Sequence, residues 1–387
     1  MNIKYIKKFL HTLEVLIFYF TFFLCRLFIR KNVISWTLGV TENCKNMYYF
    51  NKIIPNSYTA CFNSDYYTPQ LTYNFLYKKK KFFFLNRLSR FFIGPILFAI
   101  LCIKSKNFLF FWNDGFLSFD ENREFQFKFL KKNKKKVACF FCGSEIRSYY
   151  CSLKLEKKFN LDNQIRYRLL GQGKKNINDF EMRLKEFCKI TDKYADIIFN
   201  YETDQISYLK KKCYPFFYNF ESKKFQLDLK KFNNLKTVKI VHAPTNPIIK
   251  GTPIIRAVIQ KLKKLNYNIE YHELVDLKNS EVLKELKDAH IVINELYGYS
   301  PGLFSIEGMF SSCMVITSAS EKFEKLLPKN SSKSWVVGNY LNLEKQLLYY
   351  LNRKEKIRII AEKGYKWAQT NANLEKNKLI INKILNS

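Results

Sequence analysis

Val238-Lys239-Ile240-Val241-His242-Ala243-Pro244-Thr245-Asn246-Pro247-Ile248-Ile249-Lys250-Gly251-Thr252-Pro253 reads as a strand, a loop and the start of a helix. The β-branched residues at 238–241 suit a buried strand, and Thr252-Pro253 is a good N-cap and first-turn pair for the helix that follows. That helix is expected to place Ile254, Ile255, Val258, Leu262 and Leu265 on one face. The pattern then repeats. A strand is expected at 269–275, a helix opened by Ser280 and carrying Val282, Leu283 and Leu286, and a strand at 291–293. A loop at 294–301, a short helix at 302–312 and a buried strand at 314–317 come next, then Trp335-Val336-Val337 and two helices near 342–370. Short strands alternating with helices are the signature of a parallel sheet covered on both faces, so 223–370 is expected to be a doubly wound domain. Ligands of such sheets sit at the carboxyl ends of the strands, so the loops 242–251 and 294–302 are expected to face one crevice.

The first half alternates less regularly, with strands expected at 33–36, 58–62, 108–112, 137–141 and 195–200. At 387 residues the chain is too long for one ordinary core. Two lobes therefore follow, an α/β chain with a Rossmann-like domain at 32–222 and a second at 223–370, joined near 216–224. An amphipathic or apolar helix at 1–31, a candidate for membrane contact, precedes them. The end of the chain, 371–387, is amphipathic through Leu374, Ile380, Ile381 and Ile384.

Hydrophobic residues make up 47% and aromatics 17%, which argues for a packed chain and against long disordered tails. Lys and Arg number 66 against 33 Asp and Glu, a net charge of +33. Such an excess favours anionic partners, but the abundance of Lys, Asn, Phe, Tyr and Ile is also what an AT-rich coding sequence produces, so charge alone assigns no partner. No helix-turn-helix, zinc-finger or RNA-stacking motif is visible, and the lysine runs at 78–81 and 131–136 lie apart, so no nucleic-acid partner is expected. The ten cysteines are scattered. Cys139 and Cys142 form a CxxC without a second pair or a nearby His, which reads as buried thiols in a reducing cytoplasm. The four histidines, His11, His242, His272 and His290, are dispersed, and no Asp-x-Asp sits in a suitable loop, so neither a metal nor any other cofactor is expected.

Residues 13–29 are apolar and aromatic, but Glu14 and Arg26 interrupt them and no small-residue cleavage site follows, which disfavours a secretory signal and a clean membrane span. The apolar stretch 91–103 follows a basic, aromatic run at 78–84. That arrangement suits a helix in the lipid interface, and equally a core helix with a basic rim.

Two segments carry candidate chemistry. Lys250, Gly251 and Thr252 lie where a strand-to-helix loop meets a helix N-terminus, whose free N–H groups and positive potential suit a phosphate. The run Gly298-Tyr299-Ser300-Pro301-Gly302-Leu303-Phe304-Ser305-Ile306-Glu307-Gly308-Met309 opens a second helix whose amides would point into the same crevice. Glu307, in an otherwise apolar helix, could accept hydrogen bonds from sugar hydroxyls.

The first segment, followed about fifty residues later by HIVINELYGYSPGLFSIEGM, resembles the donor-binding half of the group 1 (family 4-like) GT-B glycosyltransferases. In the first half, Phe140-Phe141-Cys142-Gly143-Ser144-Glu145-Ile146-Arg147 resembles that family's strand-end His-Gly-Ser-Asp-x-Arg variant, and Lys193-Tyr194-Ala195-Asp196-Ile197-Ile198-Phe199 resembles the strand before its linker. The resemblance implies a GT-B fold, two Rossmann-like doubly wound domains facing a central crevice. It also implies a final helix at 371–387 that returns to the first lobe. Lys250 would bind the donor diphosphate and Glu307 the nucleoside ribose, with Gly251, Thr252, Tyr299, Ser300, Pro301, Gly302 and Leu303 around them. Gly143, Ser144, Glu145 and Arg147 would border the acceptor, with Arg147 paired to Glu145 as the structural alternative.

Implied activity is a metal-independent, retaining transfer from a nucleotide-sugar to a glycan or lipid-linked acceptor, in bacterial surface polysaccharide synthesis. The protein would be cytoplasmic and peripheral at the inner membrane. The sequence departs from the family where Tyr299 replaces the first glutamate of its Glu-x7-Glu motif and Cys142 replaces a histidine. No catalytic residue carries over, and a catalytically silent, nucleotide-binding partner subunit is the alternative.

Overall fold

The computed structural model describes residues 3–64, 72–77, 83–170 and 173–387. Residues 78–82, most of the basic, aromatic run, lie outside the described residues. Eleven strands occur among the described residues: β1 (Ile34–Glu42), β2 (Ser57–Ser64), β3 (Phe75–Leu76), β4 (Ser105–Phe111), β5 (Val137–Phe140), β6 (Ile197–Phe199), β7 (Val238–His242), β8 (Ile269–Glu273), β9 (Ile291–Ile293), β10 (Met314–Thr317) and β11 (Val336–Val337). They form two sheets, ordered β3-β2-β1-β4-β5-β6 and β11-β10-β9-β7-β8. Every pairing is parallel.

Burial on both faces explains why central strands such as β5 and β9 carry no polar alternation. On β5, Val137 and Cys139 enter one core cluster while Ala138 and Phe140 enter another on the opposite face. On β9, Ile291 and Ile293 face one core and Val292 the other. β1 runs to Glu42, well past the stretch expected at 33–36, because β2 and β4 pair with it on both sides as far as Val40. Gly39 belongs there sterically, since a Cβ would stand 3.0 Å from the Ala60 carbonyl oxygen.

The order of each sheet reverses once, between β1 and β4 in the first and between β7 and β9 in the second. At such a switch point the connections leave in opposite directions and open a crevice beyond the carboxyl ends of the strands. The lobes are linked by residues 200–237, which contain no strand. The last helix, Leu374–Asn386, crosses back onto the first lobe, where Ile381 and Leu385 join the core around Trp36 and Asn382 donates to the Ile53 carbonyl at 3.1 Å.

The first lobe carries two long apolar helices, Ile3–Phe28 and Phe83–Lys104. Glu14, read from the sequence as an interruption, leaves the first of them unbroken. Its carboxylate turns inward and accepts the amides of Ser118 and Phe119 at 2.7 and 2.9 Å. The windows Tyr5–Phe28 and Asn86–Lys104 are long and apolar enough to cross a membrane. In the second helix Phe98, Ala99, Leu101 and Cys102 are core, while Leu88, Phe92 and Ile96 remain exposed.

Candidate functional site

The two switch points open onto one cleft of about 460 Å³ between the lobes. Asn43, Cys44 and Lys45 reach it from the end of β1 and Trp112 from the end of β4. Ala243, Pro244, Thr245 and Lys250 come from the loop after β7, and Asn294, Glu295, Ser300 and Gly302 from the loop after β9. The loops expected at 242–251 and 294–302 thus face one crevice.

Lys250 ends a single helical turn, Pro247–Lys250, whose N-cap Asn246 accepts from the Ile249 amide at 3.2 Å. Gly251 follows at φ 82°, and the longer helix Thr252–Lys264 begins directly after it. Thr252 does not cap that helix. It is its first residue, and its hydroxyl lies 2.8 Å from His242 Nε2, while His242 Nδ1 lies 2.8 Å from the Ile293 carbonyl oxygen. A carbonyl only accepts, so Nδ1 carries the proton and Nε2 receives the Thr252 hydroxyl. Burial pushes His242 down to about 4, so this neutral ring rivets β7 to β9 beneath the loop. Of the apolar face expected on the helix, Ile255, Val258 and Leu262 are buried, joined by Ile259, whereas Leu265 is exposed.

Lys250 is held by Glu295 Oε1. Glu295, missed by the sequence reading, sits just past β9 in a loop pinned by Asn294, which donates to the Pro301 carbonyl and Ser305 Oγ at 2.7 and 3.0 Å. Glu307 also lines the cleft and accepts from Asn279 Nδ2 at 2.7 Å. Lys45 of the first lobe donates to the same Asn279 at 3.0 Å. Burial raises the Glu307 carboxyl to about 7, moderated by the Asn279 hydrogen bond and the Lys45 charge.

Ser300, Gly302 and Leu303 line the cleft with Lys250 and Glu307, as do Gly143, Ser144 and Arg147 from the first lobe. Gly251, Thr252, Tyr299, Pro301 and Glu145 do not line it. Tyr299 is buried against Phe159 and Phe323, with ring centroids 5.7 and 5.6 Å away. Ahead of the helix that begins at Gly302, the loop amides of Tyr299 and Ser300 donate to Asp204 Oδ1, and Gly302, its first residue, donates to the Tyr218 hydroxyl. Arg147 pairs with Asp204, not with Glu145, through Nε to the carbonyl at 2.6 Å and a terminal nitrogen to Oδ2 at 3.0 Å. Glu145 folds back on its own loop, where it accepts the Cys142 amide, and burial raises its carboxyl to about 7.

Arg168 is a second residue, after Glu295, that the sequence reading missed. It lines the cleft beside Arg147, and burial together with that neighbouring charge lowers its pKa. Its protein contact is a 3.4 Å hydrogen bond to Gln164, and its Nε is buried without a hydrogen-bond partner among the described residues. Arg147, Arg168 and Lys250 therefore converge on the cleft from both lobes. Such a triad suits a multiply charged anion, because guanidinium groups offer paired donors and the lysine a compact charge. Among the described residues no three His, Cys, Asp or Glu side chains converge in a way that could hold a metal ion.

No family model matches the sequence. No curated protein matches it either. Solved structures do match the fold. HepE of Anabaena, solved in complex with UDP, superposes with a TM-score of 0.55 at 8% identity, covering 91% of this chain and 100% of that one. The sucrose-phosphate synthase of Thermosynechococcus elongatus superposes with a TM-score of 0.53 at 10% identity, covering 92% and 98%. Both likenesses span the two lobes and the cleft between them, and with the two doubly wound sheets they show that this chain has the GT-B fold.

Proposed function

We propose that this protein is a glycosyltransferase that takes a sugar from a nucleotide donor and passes it to a glycan or lipid-linked acceptor at the inner face of a bacterial membrane. The observation that carries this reading is the convergence of Arg147, Arg168 and Lys250 on a cleft built from the switch points of both sheets. A donor diphosphate gains charge as the sugar leaves, and preorganised cations in a cleft with little water stabilise it far better than solvent does. Lys250 is already held at the cleft by its ion pair with Glu295, a carboxylate that a donor diphosphate would replace. Glu307, which lines the same cleft, is the acceptor assigned here to the donor's ribose. The UDP bound to HepE makes UDP the first nucleotide to test.

A second reading, a nucleotide-binding subunit without turnover, is favoured by Tyr299. The position at which the resembled family carries a glutamate is turned away from the cleft here. Thermal unfolding with UDP, GDP, CMP and ADP, alongside Lys250→Ala and Glu307→Ala, tests both. A ligand of the folded state must raise its stability. Stabilisation of the parent by one nucleotide, lost in both variants, supports donor binding. Hydrolysis or transfer of the matching nucleotide-sugar then separates enzyme from silent subunit, and no response to any nucleotide overturns both.

A further inference from the structure

Helix Ile3–Phe28 carries apolar residues well beyond its packed side. Its inner side is fixed by Glu14 on the Ser118 and Phe119 amides and by Phe18, whose ring meets those of Phe98, Phe125 and Phe129 at 5.2, 5.4 and 4.7 Å. Its outer side carries Tyr5, Phe9, Leu16, Phe20, Phe23 and Leu27, each at least 59% exposed. Their spacing follows the helical repeat, so they form one stripe along the whole helix. The neighbouring helix Phe83–Lys104 adds Leu88, Phe92 and Ile96 at four-residue intervals. A bare apolar surface of this length costs too much in water to be left uncovered.

Charge says what covers it. Residues 3–31 hold Lys4, Lys7, Lys8, Arg26, Arg30 and Lys31, and the only acidic residue among them is the inward-facing Glu14. Residues 83–106 hold Arg87, Arg90, Lys104 and Lys106 and no acidic residue. An apolar stripe with cations at its ends and no exposed anion matches the interface of an anionic bilayer. A second copy of the same basic surface would repel it.

We infer that these two helices form a lipid-docking platform that lies in the interface of an anionic membrane without crossing it. A spanning orientation would tear Ile3–Phe28 from the lobe, orphan the Ser118 and Phe119 amides, bare the phenylalanine cluster to water and carry Glu14 into hydrocarbon. The platform gives the membrane placement proposed above a physical site, and it does not depend on the transfer chemistry.

Vesicle flotation of the full chain tests it, with phosphatidylcholine vesicles compared with vesicles containing phosphatidylglycerol, at low and high salt. The parent is expected to bind the anionic vesicles at least tenfold more tightly, and less so at high salt. The triple variant Phe9→Ser, Phe20→Ser, Phe23→Ser is expected to lose at least tenfold in binding while keeping the parent's unfolding temperature and any shift it shows with UDP. Equal binding by parent and triple variant overturns the platform. So does a dimer, dissolved by the same substitutions, in a parent that ignores vesicles, since the occupant is then a second copy. Retention of the parent in cell membranes through an alkaline carbonate wash overturns the interfacial mode in favour of a span. Loss of nucleotide binding with intact vesicle binding would sink the transfer reading and leave the platform standing.

Discussion

Asp204, at the end of the first lobe, accepts the Tyr299 amide of the second lobe at 2.7 Å while its other oxygen accepts from Arg147 at 3.0 Å. Glu324 returns the contact from the second lobe, accepting the amides of Thr203 and Asp204 at 2.8 and 2.9 Å. One carboxylate thus crosses the interface in each direction, and both are buried. Arg147, which a loop motif had suggested for the acceptor side, is oriented by this latch.

Removing one partner of a buried pair leaves the other charge uncompensated, so Asp204→Ala is expected to cost about 3–5 kcal/mol. The double replacement Arg147→Met with Asp204→Leu removes both charges and is expected to cost less than the single change. Urea unfolding of the parent and both variants measures this, and a double variant less stable than the single one would show that Arg147 stabilises the fold through contacts other than Asp204.

Lys250 and Glu295 should act with opposite signs on nucleotide binding. Lys250→Ala removes the cation and is expected to weaken UDP at least tenfold, about 1.4 kcal/mol. Glu295→Gln removes the carboxylate that competes with the diphosphate for Lys250, and a severalfold tighter complex is expected. Titration calorimetry distinguishes the two, and a weaker complex for Glu295→Gln would mean that the carboxylate contacts the ligand itself.

Gly251 stands at φ 82°, and a Cβ there would lie 2.9 Å from Leu296 Cδ1. The left-handed conformation costs a residue with a Cβ about 1–2 kcal/mol, so Gly251→Ala is expected to destabilise by at least that much and to displace Lys250. Thermal unfolding read together with UDP affinity checks both effects.

Glu145 supplies a pH test. Its carboxyl is raised by burial to about 7 in the folded chain, against the ordinary value of 4.5. Between these values the folded state binds more protons than the unfolded one, so this group's contribution to stability is full below pH 4.5 and is lost as pH rises toward 7. Glu145→Gln is expected to flatten the fall in stability across that window relative to the parent. Unfolding midpoints at several pH values measure the difference, and parallel curves would show that Glu145 stays ionised in the fold.

The sequence by itself determined the two α/β lobes, because buried parallel strands need continuous apolar runs and their helices need a 3.6-residue stripe, both visible in single segments such as 137–140 and 252–264. It also marked Lys250, at a strand-to-helix junction, and Glu307, a lone carboxylate in an otherwise apolar helix, since both signals are local. What only the tertiary structure decided were relations between distant segments. Glu295 had no local mark as the partner of Lys250, 45 residues away. Arg168 was one basic residue among 66 until folding set it beside Arg147. Asp204 was an ordinary loop acid until the second lobe closed on it. Glu14 looked like a flaw in an apolar helix, and only the two amides contributed by the Ser118 turn explain why it is there. A helical or strand period is written into neighbouring residues, whereas the partner of a buried charge is chosen by the packing of the whole chain.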